Sequence, residues 1–342
     1  MSNHITVIGA GSWGTALSIV LADNGHEVML YSHNHEQINE INNNRTNEKY
    51  LPGIEIPKSI QCTGDMGQAL EGTEIVLLVV PTKAIREVCK QISTNTNVPL
   101  TIIHASKGIE PGSYKRISEM ILEEIPEKLV KDVVVLSGPS HAEEVSLRQP
   151  TTITSASSNL QAAELVQSLF MNAYFRVYTN PDIVGVELGG AIKNIIALGA
   201  GVCHGLGYGD NAKAALITRG LTEITRLGCK MGANPLTFAG LTGVGDLIVT
   251  CTSVHSRNWR AGDLIGKGYA IDEVEKELGM VVEGIRTTEA AFHLAQSLGV
   301  EMPITKAIYE VLFQGKEVNR AVHELMDRGG KDEISIKDLG LS

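Results

Sequence analysis

The chain has 342 residues, of which 43% are hydrophobic and 4% aromatic, and its formal net charge is −10 at pH 7. This length predicts about two domains, and so apolar a composition excludes a largely disordered chain. The acidic balance and the few aromatic rings argue against a nucleic-acid-binding protein, while a local pocket with two or three cations could still bind a small anion.

The chain contains five widely separated cysteines, namely Cys62, Cys89, Cys203, Cys229 and Cys251. Their odd number and large spacing disfavour a disulfide framework or a metal cluster and fit reduced thiols in the cytoplasm. The N-terminus lacks a basic segment followed by a long apolar run, so we expect no signal peptide. The most apolar stretch, 183–206, is interrupted by charged residues such as Glu187 and Lys193. We therefore expect a buried helix of a soluble protein and no membrane insertion.

A glycine-rich turn separates two apolar segments at the start of the chain. Residues 5–8 have the pattern of a buried strand and residues 28–31 that of a second one, with a helical segment between them. The turn after the first strand has the pattern GxGxxG, formed by Gly9, Gly11 and Gly14. In a strand–turn–helix context these glycines permit a tight turn, close approach of a pyrophosphate and close helix packing, and the helix N-terminus attracts phosphate. The segment therefore predicts a dinucleotide site.

The end of the second strand bears on the choice of cofactor. Its sequence, Tyr31-Ser32-His33-Asn34, lacks the Asp or Glu that commonly binds the ribose 2′-hydroxyl of NAD. The absence of this carboxylate favours NADPH over NADH, although either cofactor, or both, could bind. His33 is a candidate for the 2′-phosphate, with a solvent-exposed loop histidine as the alternative. The asparagine-rich segment 38–53 is predicted to form a loop and a short helix at the cofactor edge.

Further apolar runs predict more strands of one sheet, at 75–80, 100–104, 133–136, 151–156 and 175–178. Because helical segments alternate with them, we expect a parallel sheet whose ligands bind beyond the carboxyl ends of the strands. Lys107 follows one such strand, and Gly138 follows the next. Ser140 and Glu143 have the spacing of a capping box, so Ala142 is placed at a helix start and residues 138–142 are expected to contact the cofactor.

After residue 180 the pattern becomes helical throughout. We therefore predict an α/β fold, with an N-terminal Rossmann-type parallel sheet domain over 1–180 followed by an all-α C-terminal domain over 181–342. Within the apolar helix at 185–209, Gly189 and Gly190 lie on the face of Lys193, so backbone or ligand must come close to that lysine. A lysine that reaches the surface beside packed helices is the alternative. A second helix, 211–226, is predicted to be capped by Asp210 or Asn211.

Two further groups of polar residues follow in the helical part. Asp246 and Thr250 are four residues apart and share one face of a helix. Ser256, Arg257 and Asn258 follow, and the Arg257 guanidinium suits a phosphate group, with an ordinary surface arginine as the alternative.

Together these segments resemble the bacterial NAD(P)-dependent glycerol-3-phosphate dehydrogenases. The resemblance extends over essentially the whole chain and is carried by the motifs GAGSWGTAL, PTKAIR, SKGIE, SGPSHAEEV, ELGGAIKNIIALGAG, GLTGVGDLIVTCTS and HSRNWRAG. It implies hydride transfer between NAD(P)H and dihydroxyacetone phosphate, giving glycerol 3-phosphate in the cytoplasm for glycerophospholipid synthesis. It implies a small-molecule substrate and no metal, and it leaves a homodimer open.

The resemblance also implies roles for particular residues. The catalytic group consists of Lys193, Lys107, Asp246 and Thr250. Beside Lys193, Gly189 and Gly190 are then expected to make room for the nicotinamide and a three-carbon substrate. The implied substrate contacts are Lys107, Gly138, Ser140, Lys193, Asp246, Ser256, Arg257 and Asn258. The implied cofactor contacts are Gly9, Gly11, Ser12, Trp13, Gly14, His33, Lys107, Ala142, Arg257, Val281 and Glu283.

Two other functions remain open at the level of sequence. A two-domain dehydrogenase of the β-hydroxyacid type also has a helical second domain with a lysine, but the Ser-Arg-Asn run after GDLIVTC disfavours it. A non-catalytic dinucleotide sensor would need neither a lysine beside cleared glycines nor an Asp246 aligned with it.

Overall fold

The structure is a computed structural model, and it describes residues 2–279, 282–330 and 332–333. The chain forms two compact units. The sheet unit comprises the chain up to Ser106 together with Ile117–Ile183. The helical unit comprises Lys107–Arg116 together with the chain from Val184. The junction at 183/184 lies near the boundary expected at 180, whereas Lys107–Arg116 packs with the helical unit although sheet-unit segments flank it on both sides.

The sheet unit contains eight strands in the order β3-β2-β1-β4-β5-β6-β7-β8. Their bounds are β1 His4–Ile8, β2 Glu27–Tyr31, β3 Ile60–Thr63, β4 Ile75–Leu78, β5 Leu100–His104, β6 Val130–Ser137, β7 Thr151–Ala156 and β8 Phe175–Asn180. All neighbouring pairs are parallel except β6 and β7. The order reverses between β1 and β4, as in Rossmann-type sheets, so the predicted fold class is confirmed.

Two details of the sheet differ from the prediction. Strand β3 was not predicted, because it has only four residues and its Gln61 is exposed, which leaves no readable period. Strands β6 and β7 pair antiparallel, because the connection between them carries only a five-residue helix and the chain returns in the opposite direction.

Helices cover both faces of this sheet. Their bounds are α1 Ser12–Asp23, α2 His35–Asn39, α3 Met66–Leu70, α4 Ile85–Asn95, α5 Ile117–Glu124, α6 Ala142–Ser146 and α7 Leu160–Phe170. Alternate residues of β4 point to opposite faces, so that Ile75 and Leu77 pack with α1 and α7 while Val76 and Leu78 pack with α4 and α5. The two cores hold the strand ends, and the turns that follow them, in fixed places.

The helical unit contains eight α-helices among the described residues. Their bounds are α8 Ile183–Gly205, α9 Asp210–Lys230, α10 Asp246–Thr252, α11 Arg257–Gly266, α12 Ile271–Leu278, α13 Glu283–Leu298, α14 Pro303–Gln314 and α15 Val318–Met326. The predicted capping of α9 by Asp210 or Asn211 is wrong, because the N-cap is Gly209 and makes no side-chain hydrogen bond. Asp210 is instead the first helical residue, where its negative charge faces the positive end of the helix dipole.

Helix α8 forms the centre of the helical unit. It is the one described helix that is long and apolar enough to span a membrane. However, 89% of its most apolar 18-residue stretch is buried inside the protein. Glycines bring α11 into backbone contact with it: a Cβ on Gly201 would lie 2.0 Å from the Trp259 carbonyl oxygen, and a Cβ on Gly262 would lie 2.0 Å from that of Leu198. The N-terminus of α11 therefore has a fixed position relative to α8.

Candidate functional site

The glycine-rich turn lies at the point where the strand order reverses. Gly9 has φ +117°, and a Cβ there would lie 2.3 Å from the Val79 carbonyl oxygen, just beyond β4. A Cβ on Gly14 would lie 1.8 Å from the Gly9 carbonyl oxygen. Gly11 differs, since a Cβ there would meet no described atom within 4 Å. Two glycines are thus required by backbone packing, while the open side of the third can admit a ligand.

The start of α1 fits the phosphates of a dinucleotide. Gly11 is the N-cap in extended conformation and supplies no side chain, so the first N–H groups of the helix are not capped by it. The Ser12 hydroxyl donates to the Tyr50 carbonyl oxygen at 2.7 Å. The indole nitrogen of Trp13 is buried and has no hydrogen-bond partner among the described residues. An open glycine in front of a helix N-terminus is the geometry that binds a pyrophosphate.

The other expected cofactor contacts lie in different elements. His33 is exposed, just before Asn34, which caps α2 by accepting from the Glu36 and Gln37 amides. Ala142 is buried at the start of α6. Lys107, Arg257 and Glu283 belong to the helical unit, Glu283 as the first residue of α13. Val281 lies outside the described residues.

The turn after β6 is built around Gly138. Its φ is +148°, and a Cβ there would lie 2.9 Å from Cα of Ile153, so packing against β7 requires glycine. The Ser140 hydroxyl donates to the Gly138 carbonyl oxygen at 3.0 Å. The predicted capping box is therefore wrong, and His141 is the N-cap of α6. The neighbouring Ser137, which was not predicted, buries a hydroxyl that finds no partner in the described part of the chain.

The helical unit brings together two lysines, an aspartate and a threonine. The Lys193 ammonium on α8 donates to Oδ1 of Asp246 and, at 2.9 Å, to Oγ1 of Thr250. The Lys107 ammonium lies 3.3 Å from the other carboxylate oxygen, Oδ2. Thr250 donates its own proton to the Asp246 carbonyl oxygen at 2.5 Å, as their four-residue spacing on α10 allows. One carboxylate therefore binds two ammonium groups, one on each oxygen.

Burial is the main influence on the proton affinity of Lys193. Lys193 is 5% exposed and Asp246 1% exposed. Burial lowers the pKa of the Lys193 ammonium to about 7; the Asp246 charge opposes this shift and the Lys107 charge adds to it. Such a group can give and take a proton near neutral pH. Among the described residues, no group of three or more His, Cys, Asp or Glu side chains could hold a metal ion.

The serine, arginine and asparagine that follow α10 form the start of α11. Ser256 is the N-cap and accepts from the Trp259 amide at 3.2 Å. Arg257 is exposed at the first helical position. Asn258 is buried: its amide nitrogen donates to Asn194 Oδ1 at 2.9 Å, and its oxygen accepts from the Gly284 amide at 2.9 Å. Arg257 is thus an exposed cation at a helix N-terminus, while Asn258 links α8, α11 and the first turn of α13.

One sequence-based interpretation needs correction. Gly189 was expected to make room for the nicotinamide and substrate beside Lys193. A Cβ on Gly189 would lie 2.4 Å from the Thr242 carbonyl oxygen, so the missing side chain admits the backbone of residues 241–245 and not a ligand. The glycine instead allows the segment leading into α10 to lie against α8.

A buried ion pair that was not predicted anchors the segment carrying Lys107. Arg116 Nη1 lies 2.5 Å from Glu187 Oε2, with side chains 13% and 3% exposed. Ile109 forms a bridge with Arg116 and packs into the core of the helical unit. No sequence signal joins Arg116 and Glu187, which are 71 residues apart.

Family comparisons identify both halves of the chain. Residues 4–163 match the family described as NAD-dependent glycerol-3-phosphate dehydrogenase N-terminus. Residues 182–323 match the family described as NAD-dependent glycerol-3-phosphate dehydrogenase C-terminus.

Curated relatives agree over nearly the full length. The glycerol-3-phosphate dehydrogenase [NAD(P)+] of Geobacillus thermodenitrificans is 66% identical over 333 residues, which cover 97% of each chain. The protein of the same name from Bacillus cytotoxicus is 66% identical over 336 residues, covering 98% of each chain.

Solved structures are similar as well. Glycerol-3-phosphate dehydrogenase from Coxiella burnetii has a TM-score of 0.91 at 38% identity and covers 96% of this chain and 99% of its own. A ketopantoate reductase from Ralstonia eutropha, covering 94% of this chain and 100% of its own, has a TM-score of 0.60 at 13% identity, which shows a shared fold alone.

Proposed function

Because the chain belongs to the NAD(P)-dependent glycerol-3-phosphate dehydrogenases, we propose that Lys193 is the proton donor and acceptor when it interconverts dihydroxyacetone phosphate and glycerol 3-phosphate. The observation that carries this role is the buried Lys193 ammonium, bound to Asp246 and Thr250 and lowered in pKa to about 7. When bound, NAD(P)H supplies the hydride that reduces the substrate carbonyl carbon.

The remaining chemistry belongs to side chains of the helical unit. As the carbonyl is reduced, negative charge develops on its oxygen, and Lys193 gives this oxygen a proton; in the reverse direction the neutral amine removes it. Lys107 polarises the same carbonyl through its positive charge. Asp246 and Thr250 orient Lys193, since the carboxylate and the hydroxyl both accept from its ammonium group.

We assign the substrate phosphate to the start of α11. Arg257 offers a guanidinium fork beside the first N–H groups of a ten-residue helix, and both favour an anion. Ser256 and Asn258 flank it. In the sheet unit, Gly138 and Ser140 are assigned to the substrate, because they follow the carboxyl end of β6.

We assign the cofactor to the turn at Gly9, Gly11 and Gly14 with Ser12 and Trp13, which follow the carboxyl end of β1. His33, Ala142 and Glu283 are retained as further contacts, together with Lys107 and Arg257. The lack of a carboxylate at residues 32–34 favours NADPH. Comparing kcat/KM for NADPH and NADH tests this preference, and a higher value for NADH would contradict it.

We place the protein in the cytoplasm, where its product would supply glycerophospholipid synthesis. The five cysteines lie in the described residues and none forms a disulfide, which is compatible with a reducing compartment. We favour a homodimer as the assembly. Light scattering of the purified chain tests this, and the mass of a single chain would contradict it.

The proposed reaction is tested with dihydroxyacetone phosphate and NADPH, by following the loss of NADPH absorbance. Wild-type protein should consume NADPH and form glycerol 3-phosphate. Lys193→Ala should lose turnover by a factor of at least about 100, the usual minimum for a general acid, while still binding NADPH. Substantial turnover by pure Lys193→Ala would exclude Lys193 as the acid, and no consumption by the wild type would exclude the reaction.

A further inference from the structure

The asparagine-rich segment after β2 reaches back to the glycine-rich turn through buried amides. The carbonyl oxygen of Ala10, between Gly9 and Gly11, accepts from Gln37 Nε2 at 2.5 Å and from Asn47 Nδ2 at 3.0 Å. Gln37 is 9% exposed and Asn47 1% exposed, so water does not compete for these contacts. Two side chains 27 and 37 residues away in sequence therefore hold one carbonyl of the turn.

Each of these amides is itself held in one orientation. Gln37 Oε1 accepts from the Ser32 hydroxyl at 2.6 Å, and Gln37 Nε2 also donates to Asn47 Oδ1 at 3.1 Å. Asn47 Nδ2 also donates to the Thr15 hydroxyl oxygen at 2.9 Å. Both N–H groups of each amide are thus used, and neither amide can flip without losing contacts. The network is rigid because every member has a partner.

The consequence for the turn follows from the planarity of the peptide. In a trans peptide the C=O and the following N–H point in opposite directions. Because Gln37 and Asn47 hold the Ala10 oxygen on one side, the Gly11 N–H faces the other side. Gly11 is the N-cap of α1, and a Cβ there would meet nothing within 4 Å.

We propose that Asn47 and Gln37 are positioning residues for the cofactor, which fix the Ala10–Gly11 peptide so that the Gly11 N–H faces the pyrophosphate. This inference rests on the proposed cofactor site and assigns a function to a segment that contributes no residue to the reaction. Ser32 and Thr15 complete the network, one from the end of β2 and one from the first turn of α1.

The test measures affinity for NADPH and NADP+ by calorimetry, without substrate. Asn47→Ala should weaken both affinities by about tenfold, since it frees the Ala10 carbonyl from one of two buried donors. Gln37→Met keeps the volume without the amide and should also weaken binding; it provides the answer if Asn47→Ala does not fold. With saturating NADPH, kcat and the KM for dihydroxyacetone phosphate should stay near the wild-type values, while the KM for NADPH rises.

Asn42 is a matched control in the same segment. Its amide nitrogen donates to the Cys62 carbonyl oxygen at 2.8 Å and its oxygen accepts from the Cys62 amide at 2.9 Å, so it binds β3 and not the turn. Asn42→Ala should lower Tm but change the cofactor affinity by less than about twofold.

The measurements distinguish the positioning role from the cofactor site and from the reaction. Equal cofactor affinity in Asn47→Ala, Gln37→Met and wild type would overturn the positioning role, and so would an equal loss in Asn42→Ala. Wild-type protein that binds neither NADPH nor NADP+ would overturn the cofactor site as well. Wild-type binding without reduction of dihydroxyacetone phosphate would overturn the proposed reaction alone, because the affinity measurement does not depend on turnover.

Discussion

Two opposing influences set the proton affinity of Lys193: burial with a neighbouring positive charge, and a neighbouring carboxylate. Burial and the Lys107 charge lower its pKa, while the Asp246 carboxylate raises it, and the result is about 7. In its proposed role, Lys193 must be protonated for the reduction of dihydroxyacetone phosphate, so kcat/KM for reduction should fall as pH rises through about 7. Oxidation of glycerol 3-phosphate needs the neutral amine, so its kcat/KM should rise over the same range.

Two substitutions should move this transition in opposite directions. Asp246→Asn removes the charge that favours the ammonium form and should shift it to lower pH. Lys107→Met removes the charge that disfavours the ammonium form and should shift it to higher pH. Measuring kcat/KM of the pure variants from pH 5.5 to 9 would show these shifts even where turnover is low. A transition that stays in place in both variants belongs to another group, such as the substrate phosphate.

Arg257 has a different proposed role, since it is assigned to binding of the substrate phosphate and not to proton transfer. Arg257→Ala should raise the KM for dihydroxyacetone phosphate by about 10- to 100-fold, the usual worth of a charge-assisted hydrogen bond, with a smaller effect on kcat. Arg260→Ala is the matched control, because Arg260 is also exposed on α11 but lies one turn further from its start. An unchanged KM in Arg257→Ala would place the phosphate elsewhere.

Some of these residues could be predicted from the sequence and others could not. Asp246 and Thr250 could be paired because a helix brings residues four apart together. Lys107 could be singled out because it follows a strand. Asn47 could not, since its partners are the Ala10 carbonyl and Thr15, and backbone acceptors distant in sequence leave no pattern.

At the scale of elements, the contact between α8 and α11 depends on glycine. Gly262→Ala should lower the free energy of unfolding by about 1–3 kcal/mol, because its Cβ would lie 2.0 Å from the Leu198 carbonyl oxygen and α11 would have to move away. Gly329→Ala is the control, since Gly329 lies outside the helices and a Cβ there would meet no described atom within 4 Å. Urea unfolding measures both, and equal stability of the two variants would contradict the close contact.

Elements were predictable where local pattern and tertiary packing agree. The sequence predicted seven of the eight strands, and β1, β2, β4, β5 and β6 were readable because buried strands are rich in Val, Ile and Leu. The start of α6 at Ala142 was predicted, but its N-cap was misassigned, because the Ser140 hydroxyl binds the Gly138 carbonyl and His141 is the N-cap. The reversed direction of β7 could not be read, since direction depends on how the connecting chain packs.

At the scale of the whole molecule, a buried carboxylate should make stability depend on pH. Glu223 on α9 is 2% exposed and accepts from the Ile304 amide at 2.5 Å, the Thr305 amide at 3.0 Å and the Thr305 hydroxyl at 2.9 Å. Burial raises its pKa to about 7, against the opposing effect of these donors. Glu223 therefore joins α9 to the start of α14, and its carboxyl group loses contact with water.

A folded-state pKa above the unfolded value means that folding takes up a proton, so this stabilisation is present at low pH and is lost as pH rises toward about 7. Glu223→Gln removes the titration. The unfolding free energy of the wild type, relative to this variant, should thus decrease between pH 5 and 8, by about 1.4 kcal/mol for each unit of pKa difference. Urea unfolding at four pH values gives this difference, and an increase with pH would show that the hydrogen bonds outweigh burial.

The segment Lys107–Arg116 affects where the gene of such a protein could be cut to separate its two units. The chain passes between the units three times, after Ser106, after Arg116 and after Ile183. A gene fragment ending at 183 would encode the complete sheet together with ten residues that fold with the other unit, and it would leave Arg116 without Glu187. Recombination with a single cut could therefore not exchange the sheet unit as a whole and nothing else, and the two units are expected to be inherited together.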